Sequence, residues 1–150
     1  NHEQMALDYF LKKKEERWFK KYGKTVMWQY TLAGCDFDKD MEWIHSLPLT
    51  WENEHILMSH AGISYSDFAM EERHLDGLIW NKGDVKNVGK LQIYGHTPLK
   101  SGKPEYYGES NSWNIDTGVY MKRGLSALRL KPTGELIEIV SVPTARGDVD

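Results

Sequence analysis

A single cysteine, Cys35, stands in the 150 residues, so no intrachain disulfide forms and no Cys pair lies at zinc-finger spacing. On that ground the chain reads as intracellular, and its expected location is cytoplasmic. No apolar run approaches the ~20 residues of a membrane-spanning helix, and no membrane partner is expected. Basic residues are not in excess either: 19 Lys+Arg against 22 Asp+Glu leave a net charge of −3. A protein held to nucleic acid through phosphate contacts carries the opposite balance, so nucleic acid is excluded as an expected partner. Solenoid repeats and low-complexity segments are absent. The sequence opens Asn1-His2-Glu3 without an initiator methionine, so the lack of a signal peptide carries little weight.

What is present supports a folded chain. Residues of the AVILMFWYC set make up 40% and aromatics 12%, enough for one compact domain with a core. From Glu3 to Lys21 the apolar spacing predicts one surface helix, with Met5, Phe10, Leu11, Trp18 and Phe19 inward and the charged stretch Lys12 to Arg17 toward water. Tyr22 to Thr31, with Gly23 and β-branched Thr25 and Val26, reads as an irregular connection. Asp36, Asp38 and Asp40 precede a short helix, Met41 to Ser46, closed by Pro48. Their alternate spacing is that of a calcium loop, but the required Gly and distal Glu are missing, so they read as helix capping.

Leu49-Thr50-Trp51-Glu52 and His55 to His60, joined at Asn53-Glu54, predict a hairpin whose second strand is mostly buried. It ends in His60-Ala61-Gly62-Ile63. Leu91 to Tyr94 repeats the design, a buried strand running into Gly95-His96-Thr97-Pro98. Between them a helix is expected around Asp67 to Leu75. After a Gly/Pro/Ser-rich loop come three expected strands, Trp113 to Asp116, Leu125 to Leu130 and Leu136 to Val142, the last two joined by a turn at Thr133-Gly134. The fold class is therefore mixed α/β, with two packed sheets and the site at strand C-terminal ends. Residues 144–150 read as a polar tail, and the Arg146-Gly147-Asp148 triplet in it as a chance match to an adhesion motif.

Of the six histidines, His45, His55 and His74 read as surface or packing residues. His60 and His96 share a different context: each leaves a buried strand and enters a tight loop, where α/β folds gather ligands. Neutral imidazoles suit Mn, Fe and Zn, and an Asn carbonyl completes such a shell without adding charge. Asn1, His60 and His96 would make one metal face. Three neutral ligands leave a dication uncompensated, and of the carboxylates only Asp116 stands at a strand end, expected there to stabilise its loop. The six tryptophans read as packing anchors, and Cys35 as inert.

Asn1-His2-Glu3, Ser59-His60-Ala61-Gly62, Gly95-His96-Thr97-Pro98 and Ile115-Asp116-Thr117-Gly118, with Trp80-Asn81 between, resemble in order and type the later motifs of the calcineurin-like metallophosphoesterases. The chain is most similar to the bacterial serine/threonine protein phosphatases and their relative, the symmetrical bis(5′-nucleosyl)-tetraphosphatase. The resemblance spans Asn1 to about Leu130. It implies a layered β-sandwich flanked by helices and a hydrolase using two divalent metal ions, Mn first, with Fe or Zn as alternatives. Asn1, His60 and His96 would be ligands of the second metal and His2 the general acid on the leaving oxygen. The substrate would be a phosphoprotein or a phosphorylated small molecule.

The family's Asp-x-His and Gly-Asp-x-x-Asp-Arg-Gly motifs, which supply the first metal's ligands, have no counterpart here. Residues 1–143 are thus expected to be the C-terminal portion of such a domain, inactive without those ligands. Lys82 stands where many bacterial members carry a phosphate-clamping Arg. It keeps the charge without the bidentate fork, and reads equally as a phosphate-binding residue or a solvated loop lysine. Two other readings compete with a protein phosphatase: a dinucleoside tetraphosphate hydrolase, and a non-catalytic binding module on the same scaffold.

Overall fold

A computed structural model describes residues 1–11, 16–145 and 147. Lys12 to Glu15, from the charged stretch, and most of the Arg146 to Asp150 tail lie outside the described residues. The protein is mixed α/β and divides into two compact units, Asn1–Pro48 and Leu49–Asp150. Among the described residues no helix is long and apolar enough to cross a membrane.

The first unit is helical. Helix α1 is His2–Phe10; a short helical turn α2, Glu16–Trp18, runs through a π-helical turn, Phe19–Gly23, into α3, Lys24–Ala33; α4 is Phe37–Ser46. The single helix expected over Glu3 to Lys21 is instead α1, which ends at Phe10, then α2 and the start of the π-helical turn. The connection expected over Tyr22 to Thr31 is instead helical. Phe19, Tyr22, Val26, Met27 and Tyr30 recur every three or four residues and pack on the buried cluster of Ala6, Leu7, Trp18, Phe37 and Met41. Burying that stripe outweighs the few tenths of a kcal/mol that each β-branched residue costs a helix. The aspartates cap as expected: the Asp36 carboxylate accepts from the Lys39 N–H at 3.1 Å, and α4 starts one turn earlier than its sequence pattern indicated.

The second unit holds a five-stranded sheet and a separate two-stranded one. Strands β1 Thr50–Glu52, β2 Ile56–Ser59, β3 Leu91–Tyr94, β4 Glu105–Tyr107 and β5 Ser112–Asn114 lie in the order β1-β2-β3-β5-β4. β2, β3 and β5 run parallel, with antiparallel β1 and β4 at the edges. Leu91, Gln92 and Ile93 are all buried, as befits a central parallel strand covered on both faces. β4, lying in the stretch expected to be loop, is an edge strand of three residues. The segment 60–90 between β2 and β3 contains turns rather than the helix expected at Asp67 to Leu75. Its Ile63, Ala69, Leu78 and Ile79 form a small core against the sheet's Leu57. β6 Leu125–Leu130 and β7 Leu136–Val142 form the expected hairpin, closed by Gly134 N–H to Lys131 and Lys131 N–H to Glu135, both at 2.9 Å.

One glycine is demanded by both space and backbone. Gly62, in the loop after His60, has φ 77, and a Cβ there would stand 2.5 Å from a Val85 methyl and 3.3 Å from the Tyr94 ring. Gly89 has φ 78 with open space around it. Gly62→Ala is expected to cost about 2–4 kcal/mol, left-handed strain plus overpacking, and Gly89→Ala about 1–2 kcal/mol from strain alone. Urea midpoints measure both, and equal losses would refute the steric account.

Candidate functional site

Parallel pairing sends three strand ends in the same direction. The ladder continues past the strands, with Gly95 N–H on the His60 carbonyl and Ile115 N–H on the Tyr94 carbonyl, both 2.9 Å. The loops that carry His60, His96 and Asp116 therefore leave the sheet side by side. His60 Nε2 and His96 Nδ1 are hydrogen-bonded at 3.1 Å, the donor ring being set by the tautomers. His60 is exposed and His96 half-buried.

The backbone at His96 is bent to reach this place. Thr97 N–H donates to the Gly95 carbonyl at 2.9 Å, closing a three-residue turn centred on His96, whose φ is 72. A turn of this sign is rare for a residue with a Cβ, and such strain costs on the order of 1–3 kcal/mol. The neighbours hold it. Asn114, buried, donates its side-chain amide to the Thr97 carbonyl at 3.0 Å and accepts from Asp116 N–H at 2.9 Å.

Asp116 serves its loop, as its sequence position indicated: Oδ1 accepts from Gly118 N–H at 3.0 Å. The Thr117 hydroxyl donates to the Gly124 carbonyl at 2.7 Å. Asn81, 4% exposed, accepts from Gly83 N–H at 2.9 Å and directs its amide toward the Ala61 carbonyl. It thereby fixes the turn that carries Lys82 against the loop that carries His60. Asn-x-Gly is the local signal of that turn. Gln92, fully buried, accepts from Ile63 N–H and donates to the Lys86 carbonyl. Nothing in the sequence distinguished this glutamine from a solvent-facing one.

Burial lowers the His96 pKa below the ordinary 6.5, the positive charge of Lys82 lowers it further, and Asp116 pulls it back up. The imidazole is neutral at neutral pH, the form that ligates a metal. Its Nε2 is buried and makes no hydrogen bond of good geometry among the described residues, although the Trp80 backbone lies near enough to favour the proton.

Two nitrogens on one cation, with bonds of about 2.0–2.1 Å, stand roughly 3.1–3.4 Å apart. The His60–His96 separation fits that spacing, so the pair suits two positions of a metal shell. Among the described residues no group of three or more His, Cys, Asp or Glu gathers to hold a metal. Among the described residues, then, no carboxylate joins the pair in such a group. Asn1 stands at the N-cap position of α1 without a side-chain capping bond, and His2 is the helix's first residue, exposed, with its ring 5.4 Å from that of Tyr22. Both belong to the helical unit, whereas His60, Lys82 and His96 come together in the sheet unit.

A cleft of about 540 Å³ opens beside the pair, reached from Ala61 and Thr97, the residues after each histidine. Lys82, Asp84 and Glu109 line it together with Tyr65 and Tyr107. The sequence pattern pointed only to Lys82 among these, because the others are brought together from the segments around residues 65, 84 and 106–109.

His96 also couples to stability. Between its lowered folded pKa and 6.5 the unfolded chain binds more protons than the folded one, so stability rises with pH through that window and is lost as pH falls through it. Unfolding free energies by urea at pH 5, 6 and 7.5 are expected to climb in the native chain and to climb less in His96→Gln. An unchanged slope would show that His96 is solvated in the folded state.

In comparisons with known proteins, no family model, no curated protein and no solved structure matches the chain.

Proposed function

We propose that the sheet unit carries half of a two-metal phosphoesterase centre, in a protein that hydrolyses phosphoserine and phosphothreonine monoesters. The observation that carries this reading is the 3.1 Å approach of His60 and His96 at the ends of parallel strands, one of them through a strained turn. Strain of that kind is retained where it aims a functional side chain. The order of motifs resembling the calcineurin-like metallophosphoesterases supports the same chemistry, and with it a layered sandwich of the two sheets.

Two divalent cations, Mn first, with Fe or Zn as alternatives, would when bound supply Lewis-acid polarisation of the phosphoryl group and a more acidic water. The chain's own residues do the rest. His60 and His96 would offer ring nitrogens to one cation. Lys82 holds a non-bridging phosphoryl oxygen as a point charge, orienting it less tightly than a bidentate arginine. In-line attack by water on phosphorus breaks the ester P–O bond. By the resemblance, Asn1 adds a carbonyl ligand and His2 delivers a proton from its ring to the leaving oxygen.

Because the first metal's carboxylates are missing from the sequence, Mn-stimulated hydrolysis of p-nitrophenyl phosphate by these 150 residues alone is expected to be negligible. Binding is the test. Titration calorimetry should detect weak binding of one Mn²⁺ per chain, weakened tenfold or more by His60→Ala and equally by His96→Ala. Binding untouched by both substitutions refutes the assignment, and robust hydrolysis by the chain refutes the need for further ligands. A cooperative melt with no metal response would favour a binding module on the same scaffold.

A further inference from the structure

The cleft beside the histidine pair is polar in a particular way. Lys82 is the one Lys or Arg among its lining residues, and it stands beside the turn held to the loop of His60 by Asn81. Asp84 and Glu109 line the same cleft, both exposed, and neither makes an ion pair or side-chain hydrogen bond among the described residues. Tyr65 at 73% exposure, half-buried Tyr94 and Tyr107 at 39% line it as well, whereas the neighbouring Tyr106 turns its ring to the opposite face of β4, onto Trp113. The Tyr107 ring is anchored at its hydroxyl, which donates to Glu105 at 2.9 Å. Its ring, rather than its hydroxyl, remains for a ligand.

Unpaired carboxylates among fixed aromatic rings form an environment that takes a cation. Guanidinium and ammonium groups gain from carboxylate hydrogen bonds and from the ring quadrupole together. The same two carboxylates repel a second phosphate, so the cleft is unsuited to a polyphosphate chain extending from the first phosphoryl group.

We infer that this cleft is a specificity subsite for a basic side chain, and that the ligand is a phosphorylated peptide segment with arginine or lysine a few residues from the phosphorylated serine or threonine. The inference rests on the phosphoryl-binding reading of His60, His96 and Lys82, and deepens it by naming the substrate class. A volume of about 540 Å³ is of the size that holds one such side chain with its neighbouring backbone.

The test is fluorescence polarisation on the 150-residue chain with Mn²⁺ present, at low and moderate salt. Three labelled peptides are compared: phosphoserine flanked by arginines, phosphoserine flanked by glutamates, and the arginine peptide without phosphate. Diadenosine tetraphosphate serves as competitor. The basic phosphopeptide is expected to bind about tenfold tighter than the acidic one, the sum of a few modest charge and cation–π contacts. The double variant Asp84→Asn with Glu109→Gln removes that difference while keeping the affinity for the acidic phosphopeptide. Both substitutions are near-isosteric and exposed, and an unchanged thermal melt verifies the fold.

Equal affinity for basic and acidic phosphopeptides overturns the subsite and leaves the phosphatase reading standing. Binding of the basic peptide regardless of phosphate, lost in the double variant, supports the cation cleft and overturns the phosphoryl reading. No binding of any peptide, or displacement by diadenosine tetraphosphate that is insensitive to the double variant, overturns the inference.

Discussion

β3 is hydrogen-bonded in parallel to β2 on one side and to β5 on the other, and the arrangement of the sheet unit follows from that pairing. In a parallel ladder neighbouring strands end at the same edge, so residues that follow strands far apart in sequence are delivered to one place. His60 and His96 are separated by 36 positions and stand 3.1 Å apart because Ile56 pairs with Leu91 and Met58 with Ile93. A register slip of one residue would exchange the faces of β3 and move His96 away from His60.

Burying a parallel sheet on both faces leaves little room for polar groups, and those that remain are fully used. Gln92, Asn81 and Asn114 each bridge two segments through backbone groups, fixing the loops after β2, before Lys82 and after β3. Such bonds contribute only about 1 kcal/mol each, but losing one strands a buried partner at a cost of roughly 1–3 kcal/mol. They also offset the strain of the turn at His96. The network is dense at the C-terminal edge of the parallel strands, where rigid placement of side chains matters to chemistry.

The two-stranded sheet is built differently. Every residue of β7 is exposed, and Ile137, Ile139, Val140 and Val142 carry apolar surface into solvent. A ribbon of two strands is marginal by itself. Hydroxyls hold it to the loop after β5, with Thr117 on Ser126 at 3.1 Å and Ser126 on Ser141 at 2.9 Å. A long apolar edge of this kind is also where a chain associates with others.

The strands that carry the histidines were legible because their signals are local: short buried apolar runs ended by Gly, Pro and His, and a Thr-Gly turn between alternating strands. Local signals were also responsible for the errors. Gly23, Thr25 and Val26 pointed to a connection where packing on Trp18 and Phe37 makes a helix, and Asp67 to Leu75 had a helical pattern but folds into turns around Ala69 and Leu78. By itself the sequence determined which residue types could do chemistry: imidazoles after buried strands, a lysine in an Asn-x-Gly turn, and no first set of metal carboxylates. Only the tertiary structure decided that His60 meets His96, that burial and Lys82 favour the neutral form of His96, and that Asp84, Glu109 and tyrosines from distant segments line one cleft. The physical reason is that distance, desolvation and cavity shape depend on strand register and loop closure across tens of residues, and no local pattern encodes them.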